Sequence, residues 1–450
     1  MTLSYPDPAA AERLDRLVKS ALKAGADAAD AVEFKNISVS VSYRLGKLED
    51  VGRSESSDLG LRVFVGKQVA FVSSTDFTDS ALSALPERAV AMARLAPEDK
   101  YAGLASRDRL ATSTPDIEID DPQEPSTVLL VECARAAEQA ALEVPGVTNS
   151  EGGSADYGRS MVTLATSEGF LGGYTGTSRS VAVSVIAGEG TEMERDYDYA
   201  HSRFAADLES AEAVGKRAAE RAVKRLNPRK VKTQSVPVFF DPRVSPSLLG
   251  HFAGAISGAA IARGVSFLKD RMGEQVFSEN ITIIDDPHRK RGARSKPFDG
   301  EGVANRTNVL IDRGRLTTWL LDSASARQLG LQTTGHASRG TGGPPSPSST
   351  NLYMAAGPLS PEQLMSDVKD GFYVTELIGM GVNGVTGDYS RGAAGFWIEN
   401  GALTYPVSEV TIAGNLKDMY LHLTSANDLV FRHGTDAPTL RIEGLTIAGE

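Results

Sequence analysis

Six histidines are the natural place to look for metal or acid–base chemistry in this chain, and their spacing supplies none. His201, His251, His288, His336, His422 and His433 form no HxH, HxxxH or HExxH pair. Local spacing therefore presents no two imidazoles to one metal ion. His251 alone falls in an apolar, helix-forming stretch, where a lone histidine is ordinarily a packed or hydrogen-bonded residue. The run Gly379-Met380-Gly381-Val382-Asn383-Gly384 matches the glycine fingerprint of a dinucleotide site, and Tyr373–Ile378 reads as the strand required before it. That fingerprint also needs a helix behind it, whose N-terminus holds the pyrophosphate. The residues from Val385 to Gly392 cannot begin one, so a flexible turn or bulge is expected instead. Asp285-Asp286 precedes Pro287; adjacent carboxylates on an extended segment point to opposite sides, and a turn is expected. The basic segment HRKRGARSK, His288–Lys296, reads as a surface loop in an acidic chain. No G-x-S-x-G elbow exists for a serine nucleophile. Ser338, near His336, lies in the tract Gly335–Thr350, which reads as too polar and too broken to pack as an element. Cys133 shares a helical face with Leu129, Leu130, Ala137 and Ala140 and reads as a buried structural thiol. As the only cysteine it excludes an internal disulfide and any multi-thiolate metal site.

The elements that would position such residues fall into two halves. The chain of 450 residues is long enough for two cores. Its 47 basic against 58 acidic residues argue against a dedicated nucleic-acid binder, which needs a basic face. The start, MTLSYPDPAA, has neither a basic n-region nor an apolar h-region, so a cytoplasmic location follows by default. Helical spacing marks Pro8–Lys23, Asp79–Leu95, Ser126–Glu143 and Leu208–Leu226, with period-two segments between them. The plan helix, meander, helix occurs twice, which predicts a duplicated α+β N-terminal domain over residues 1–230. Asn227–Thr233 reads as a domain junction, and the basic run Arg217–Lys232 as a solvated helix face ending in favourable cations. Residues 231–450 read as a β-rich C-terminal domain. It is built around one charge-free helix, Pro246–Ala262, with Ser245 as N-cap and Pro246 in the first turn. Gly250, Gly254, Gly258 and Ala262 recur every four residues along one face. Glycine costs roughly 1 kcal/mol per helical position against alanine, so a close packing partner is expected. A membrane span is excluded by the length of the run and by Arg263, Lys269, Asp270 and Arg271 just after it. Ser360-Pro361-Glu362-Gln363 is a capping box opening a helix, and Asn400-Gly401 between Phe396–Glu399 and Ala402–Tyr405 signals a hairpin.

Three stretches carry a resemblance that spacing rules could not supply. They are SLLGHFAGAISGAAIARGVSFLKDRMGEQVF (Ser247–Phe277), DGEGVANRTNVLIDRGRLTTWLLD (Asp299–Asp322) and GMGVNGVTGDYSRGAAGFWIENGALTYPVSEVTIAGNLKDM (Gly379–Met419). They resemble the TldD/PmbA family, specifically its PmbA (TldE) branch, over nearly the whole chain. In that family the catalytic sister, TldD, resembles a zinc metallopeptidase. It carries an HExxxH helix, with two histidine ligands, a glutamate to activate water, and a further ligand near the C-terminus. Aligned through Leu248-Leu249, the motif falls on Gly250-His251-Phe252-Ala253-Gly254-Ala255. The histidine positions hold Gly250 and Ala255, the glutamate position holds His251, and the C-terminal ligand segment is missing between Asn427–His433 and Thr439. The resemblance thus implies a degenerate active-site helix at Gly250, His251, Gly254 and Ala255, with no catalytic or metal-binding residue of its own. It further implies a heterodimer with a TldD-like, zinc-bearing catalytic subunit that degrades unfolded or extended peptides and trims peptide precursors and antitoxins. Two alternatives stay open here. One is an independent hydrolase using His251, or Asp388 with Ser390. The other is a regulator of a nucleic-acid enzyme, in line with the older description of the family as gyrase modulators.

Overall fold

In the computed structural model, which describes residues 7–450, the first half is organised on one six-stranded antiparallel sheet. Its elements run α1 (Pro8–Lys23), β1 (Ala28–Arg44), β2 (Lys47–Val65), β3 (Gln68–Ser74) and α2 (Asp79–Leu95). They continue with α3 (Thr127–Leu142), β4 (Val147–Thr166), β5 (Leu171–Ala187), β6 (Glu194–Ser202) and α4 (Ala211–Lys224). The strand order is β3-β2-β1-β4-β5-β6, so β1 and β4 join the two units along one long antiparallel register from Asp30–Thr166 to Tyr43–Gly153. Each long helix begins where a side chain can serve an unpaired first-turn amide. Asp7, Thr78, Ser126 and Ser210 accept hydrogen bonds from Ala10, Ala81, Leu129 and Ala213. The apolar stripes of α1 and α2 bury Leu14, Leu17, Leu82 and Leu85 against Leu59, Leu61 and Val63 of β2. Those of α3 and α4 bury alanines and Val214 against Val181, Val183 and Val185 of β5.

The second half contains β7 (Gln234–Phe240), α5 (Pro246–Ala255), α6 (Gly258–Ala262), β8 (Ile283–Asp285), β9 (Asn308–Asp312), β10 (Arg315–Leu316), α7 (Ser323–Gln328), β11 (Ala337–Ser338), β12 (Ser346–Pro347) and β13 (Leu352–Met354). It ends with α8 (Pro361–Met365), β14 (Asp370–Ile378), β15 (Asp388–Glu399), β16 (Ala402–Asn415), α9 (Leu416–Leu421), β17 (Leu423–Ser425), β18 (Thr435–Asp436) and β19 (Leu440–Ala448). The main sheet has the order β16-β15-β14-β7-β19-β17, and β19 also pairs with β16, so the strands β7, β14, β15, β16 and β19 close into a ring. β7 is the first of these in sequence, and lies between β14 on one side and β19 on the other. The turn between β15 and β16 is the one the sequence signals: Asn400 and Gly401 both take positive φ, 50° and 82°, as a two-residue hairpin turn requires. The capping box at Ser360 and Gln363 also forms, but the helix it opens lasts five residues before the chain enters β14.

Several expectations need correction. The predicted single helix Pro246–Ala262 is two helices, because the backbone leaves helical geometry at Ile256 and Ser257. Ser245 is not its cap: it already has helical φ and ψ, and its hydroxyl donates to Ala437 O at 3.2 Å. The tract Gly335–Thr350 is not a loose loop. His336 and Ala337 are buried, Ala337–Ser338 pairs with Ser346–Pro347, and Thr341 hydrogen-bonds Asp58 on β2. It packs because the other half of the molecule supplies its partners. Gly60 on β2 is a required glycine there, since a Cβ would stand 2.5 Å from Thr341 O. The turn expected after Asp285-Asp286 does form, at Pro287–His288 with Asp286 accepting from His288 N, but Asp285 itself ends a strand, fully buried and accepting from Thr350 N, Thr350 Oγ1 and His336 Nε2.

Candidate functional site

The degenerate-helix residues lie on α5, whose two faces differ completely. Leu248, Leu249, Phe252 and Ala255 point into the core of the second half. There Phe252 meets Phe277 edge-on at 5.2 Å, Phe277 stacks on Tyr420 at 4.3 Å, and Tyr420 donates to Leu248 O at 3.0 Å. Gly250 and Gly254 face outward, and a Cβ on either would meet nothing within 4 Å. The expected close packing partner of the glycine stripe is therefore absent at these two positions. Only Gly258, beyond the break, is tightly enclosed: its Cβ would fall 2.5 Å from Leu321 Cδ2, 2.6 Å from Ser325 Oγ and 2.9 Å from Leu320 O. The two positions expected to match histidine ligands are thus divided, Gly250 open and Ala255 buried.

His251 is half-buried between these faces. Its ring lies edge-on to Tyr389 of β15, centroids 6.1 Å apart. Its Nε2 and the Tyr389 hydroxyl are both buried without a hydrogen-bond partner among the described residues. Burial, followed by the positive charge of Arg391, lowers the imidazole pKa, so the ring is neutral at pH 7. A neutral imidazole is one ligand, whereas a catalytic zinc takes three protein ligands. Among the described residues no three His, Cys, Asp or Glu side chains gather as a metal ion would need. Around α5 the donor set does not fit a catalytic zinc.

The other catalytic set fares no better. Asp388 and Ser390 are exposed on β15, while Tyr389 between them turns inward to His251, as period-two alternation requires. Asp388 is occupied by Thr386 and Asn415, which hold its carboxyl below the usual range. No hydrogen bond links His251 to either residue. The glycine fingerprint at 379–384 connects two antiparallel strands with no helix behind it. In the basic loop, Lys290 and Arg291 are spent on Glu118 and Asp207, and Arg289 lies over the Phe431 ring. Arg217, Arg221 and Arg225 of the other basic run are likewise paired, with Asp198, Glu209 and Glu376 among their partners. Cys133 is half-buried, and burial raises its thiol pKa, so it is no reactive thiolate.

Charge is instead concentrated at the joint between the halves, which spacing did not single out. Asp30 on β1 is fully buried between Arg62 of β2 (2.5 Å) and Arg339 after β11 (2.7 Å). Burial opposes ionisation there, but Arg339 and Arg62 together hold the Asp30 carboxyl below its usual pKa. Glu301 lies 3.8 Å from Arg62 and accepts from Ser323 N. Asp299, also buried, accepts from the amides of Glu301, Val303 and Ala337. Burial, and next the charge of Glu301, raise its pKa to about 7. The signal was present as a charge inside each of two apolar runs, Ala28–Val32 and Leu59–Phe64. A second tie is Arg327, whose guanidinium donates to the carbonyls of Tyr101, Gly103 and Leu104.

Comparison with known proteins places this geometry. Three models of the PmbA/TldA metallopeptidase match the chain: domain 1 over residues 29–93, the central domain over 120–226 and the C-terminal domain over 233–449. Metalloprotease PmbA of Escherichia coli O157:H7 is 41% identical over 442 residues, 97% of this chain and 96% of its own. Among solved structures, a candidate modulator of DNA gyrase from Bacteroides thetaiotaomicron superposes with a TM-score of 0.90. It has 27% identity and covers 98% of both chains. TldE from Thermococcus kodakarensis superposes with a TM-score of 0.87 over 97% of this chain and 100% of its own. At 21% identity that likeness concerns the fold.

Proposed function

The chain belongs to the PmbA/TldD metallopeptidase family, and from that premise we propose that it is the non-catalytic, TldE-like subunit of a two-chain metalloprotease. Its partner is a TldD-like subunit that carries the zinc and the water-activating glutamate. Together the two chains degrade unfolded or extended peptides and trim peptide precursors and antitoxins, in the cytoplasm. Among the described residues no helix is long and apolar enough to cross a membrane. The observation that carries the reading is the chemistry of α5. Where the metallopeptidase motif would fall, it offers two outward glycines and a buried alanine. The one imidazole is kept neutral by burial and by Arg391. A surface that cannot hold zinc but leaves its backbone open is suited to be covered by another chain. On the same reading the two α-β-β-β-α units of the first half are copies of one unit.

Metal analysis of the purified chain, alone and after co-expression with an HExxxH-bearing homologue from the same genome, tests this. The expected result is no stoichiometric zinc in the lone chain, co-purification of the homologue, and peptidase activity only with both. Zinc at one equivalent with peptidase activity in the lone chain would overturn it. The second reading, a regulator of a nucleic-acid enzyme, rests on the description borne by the Bacteroides relative. It requires salt-sensitive DNA binding that is lost when Arg289, Lys290 and Arg291 are neutralised; the paired state of two of these cations argues against it.

A further inference from the structure

A cavity of about 250 Å³ lies between the first-half sheet and the segments 296–300 and 337–339 of the second half. Its walls are Val32 and Phe34 of β1, Val162 and Leu164 of β4, and Phe298, with Tyr174 of β5 edge-on to Phe298 at 5.5 Å. Into this apolar space comes the Lys296 side chain, the last residue of a segment whose sequence suggested a surface loop. An ammonium has three donors and no acceptor. Lys296 uses one, to Ala337 O at 3.2 Å, and no carboxylate among the described residues forms an ion pair with it. A charge in apolar surroundings without a partner is costly, and burial lowers the amine's pKa against the pull of Asp299 and Asp285.

Of the other charged groups at the cavity, Asp299 serves three backbone amides, and Arg339 forms an ion pair with Asp30 while its Nε stays buried without a hydrogen-bond partner among the described residues. The Tyr174 hydroxyl has no partner among the described residues, and Ser338 lies exposed at the rim. The unspent groups at the cavity are therefore all donors: an ammonium, a guanidinium N–H and a phenol. Such a site calls for an acceptor, and a charged one binds an ammonium most strongly. We propose that this cavity binds a terminal carboxylate on a short apolar body, with Lys296 as its counter-ion and Tyr174 as a second donor. The shared chemistry admits two sources, a free short-chain acid or the C-terminus of a peptide ending in an apolar residue. This proposal does not depend on the partner reading above, and neither result bears on the other.

Calorimetric titration of the full chain tests it, using hexanoate, hexanol and hexylamine, and a leucine-ending tripeptide as free acid and as amide. Saturable one-to-one binding of hexanoate is expected, about tenfold or more tighter than that of hexanol, with no binding of hexylamine. Lys296→Met should weaken hexanoate by a similar factor, and Val162→Phe should abolish binding by filling the wall. Competition between hexanoate and the free-acid tripeptide, with the amide inert, assigns the site to a peptide terminus. Binding of hexanoate alone assigns it to free acids. Equal affinity for hexanol, or hexanoate binding untouched by Lys296→Met, would overturn the proposal, as would no saturable hexanoate binding. If both variants fail to fold, the side-chain 15N resonance of Lys296 in the unmutated chain decides: it shifts with hexanoate, or the idea fails.

Discussion

The outward face of α5 and the joint between the two halves make opposite use of their residues. On the outward face of α5, two glycines stand with open space before them. At the joint, far less conspicuous in sequence, Asp30, Arg62, Arg339, Glu301 and Asp299 are buried together, each with named partners. The first region tolerates change because nothing in the chain touches it. The second is intolerant, because every charge there depends on another that water cannot replace. The comparison teaches that the chemically blank surface is the one left open, while the chemically rich one is where the two halves are tied together.

The largest expected effect comes from breaking the joint. Asp30→Ala leaves two buried guanidiniums without their shared counter-ion and should cost about 3–5 kcal/mol in urea unfolding. A cost below 1 kcal/mol would mean that the joint is not what stabilises the fold. Next comes Gly258→Ala, where the added methyl has no room beside Leu320 and Leu321. A loss of about 1–3 kcal/mol is expected. The joint also carries a pH signature. The folded pKa of Asp299, about 7, stands above the usual carboxylate value of about 4, so the folded state keeps a proton that the unfolded state releases. Its contribution to stability is therefore greatest below about pH 4 and is lost as pH rises to about 7. Asp299→Asn should flatten that part of the urea-midpoint profile, apart from a constant offset for the weakened Ala337 contact; an unflattened profile would assign the slope to other groups. The smallest effect has the opposite sign. Gly250→Ala and Gly254→Ala should each stabilise the lone chain by up to roughly 1 kcal/mol. If the partner covers this face, the same changes should weaken co-purification with it. That combination would sharpen the contrast between the two regions more than either measurement alone.

What could be read in the sequence follows the range of the forces involved. Local signals were mostly reliable. The capping box at Ser360 and the Asn400-Gly401 hairpin each concern residues within one turn of each other, and each forms, whereas the cap expected at Ser245 does not. Signals that depend on distant partners were not. The four-residue glycine repeat gave no hint that the helix breaks at Ile256–Ser257, where Gly258 N and Leu320 N exchange hydrogen bonds with Leu320 O and Ile256 O. The tract Gly335–Thr350 lacked internal order in its composition and gained it from Asp58, Gly60 and Asp285, hundreds of residues away in some cases. For the site the limit was different. The reading of Gly250 and Ala255 as histidine positions, and of His251 as the glutamate position, came from resemblance alone; which of these positions face outward had no signal in the sequence. The turning of the half-buried Lys296 toward the cavity had no local signal at all.

The place of β7 in its sheet carries a consequence for how the molecule is made. In the first half, neighbouring strands are mostly hairpin neighbours, so that sheet can assemble as it emerges from the ribosome. β7 cannot be finished so early: one edge waits for β14 and the other for β19, which also seals the ring against β16. Until Leu440–Ala448 has been synthesised, β7 keeps an open edge of the kind that invites mispairing between chains. The second half is therefore a late folder, and truncations within β19 should favour aggregation during expression over a shorter but sound protein.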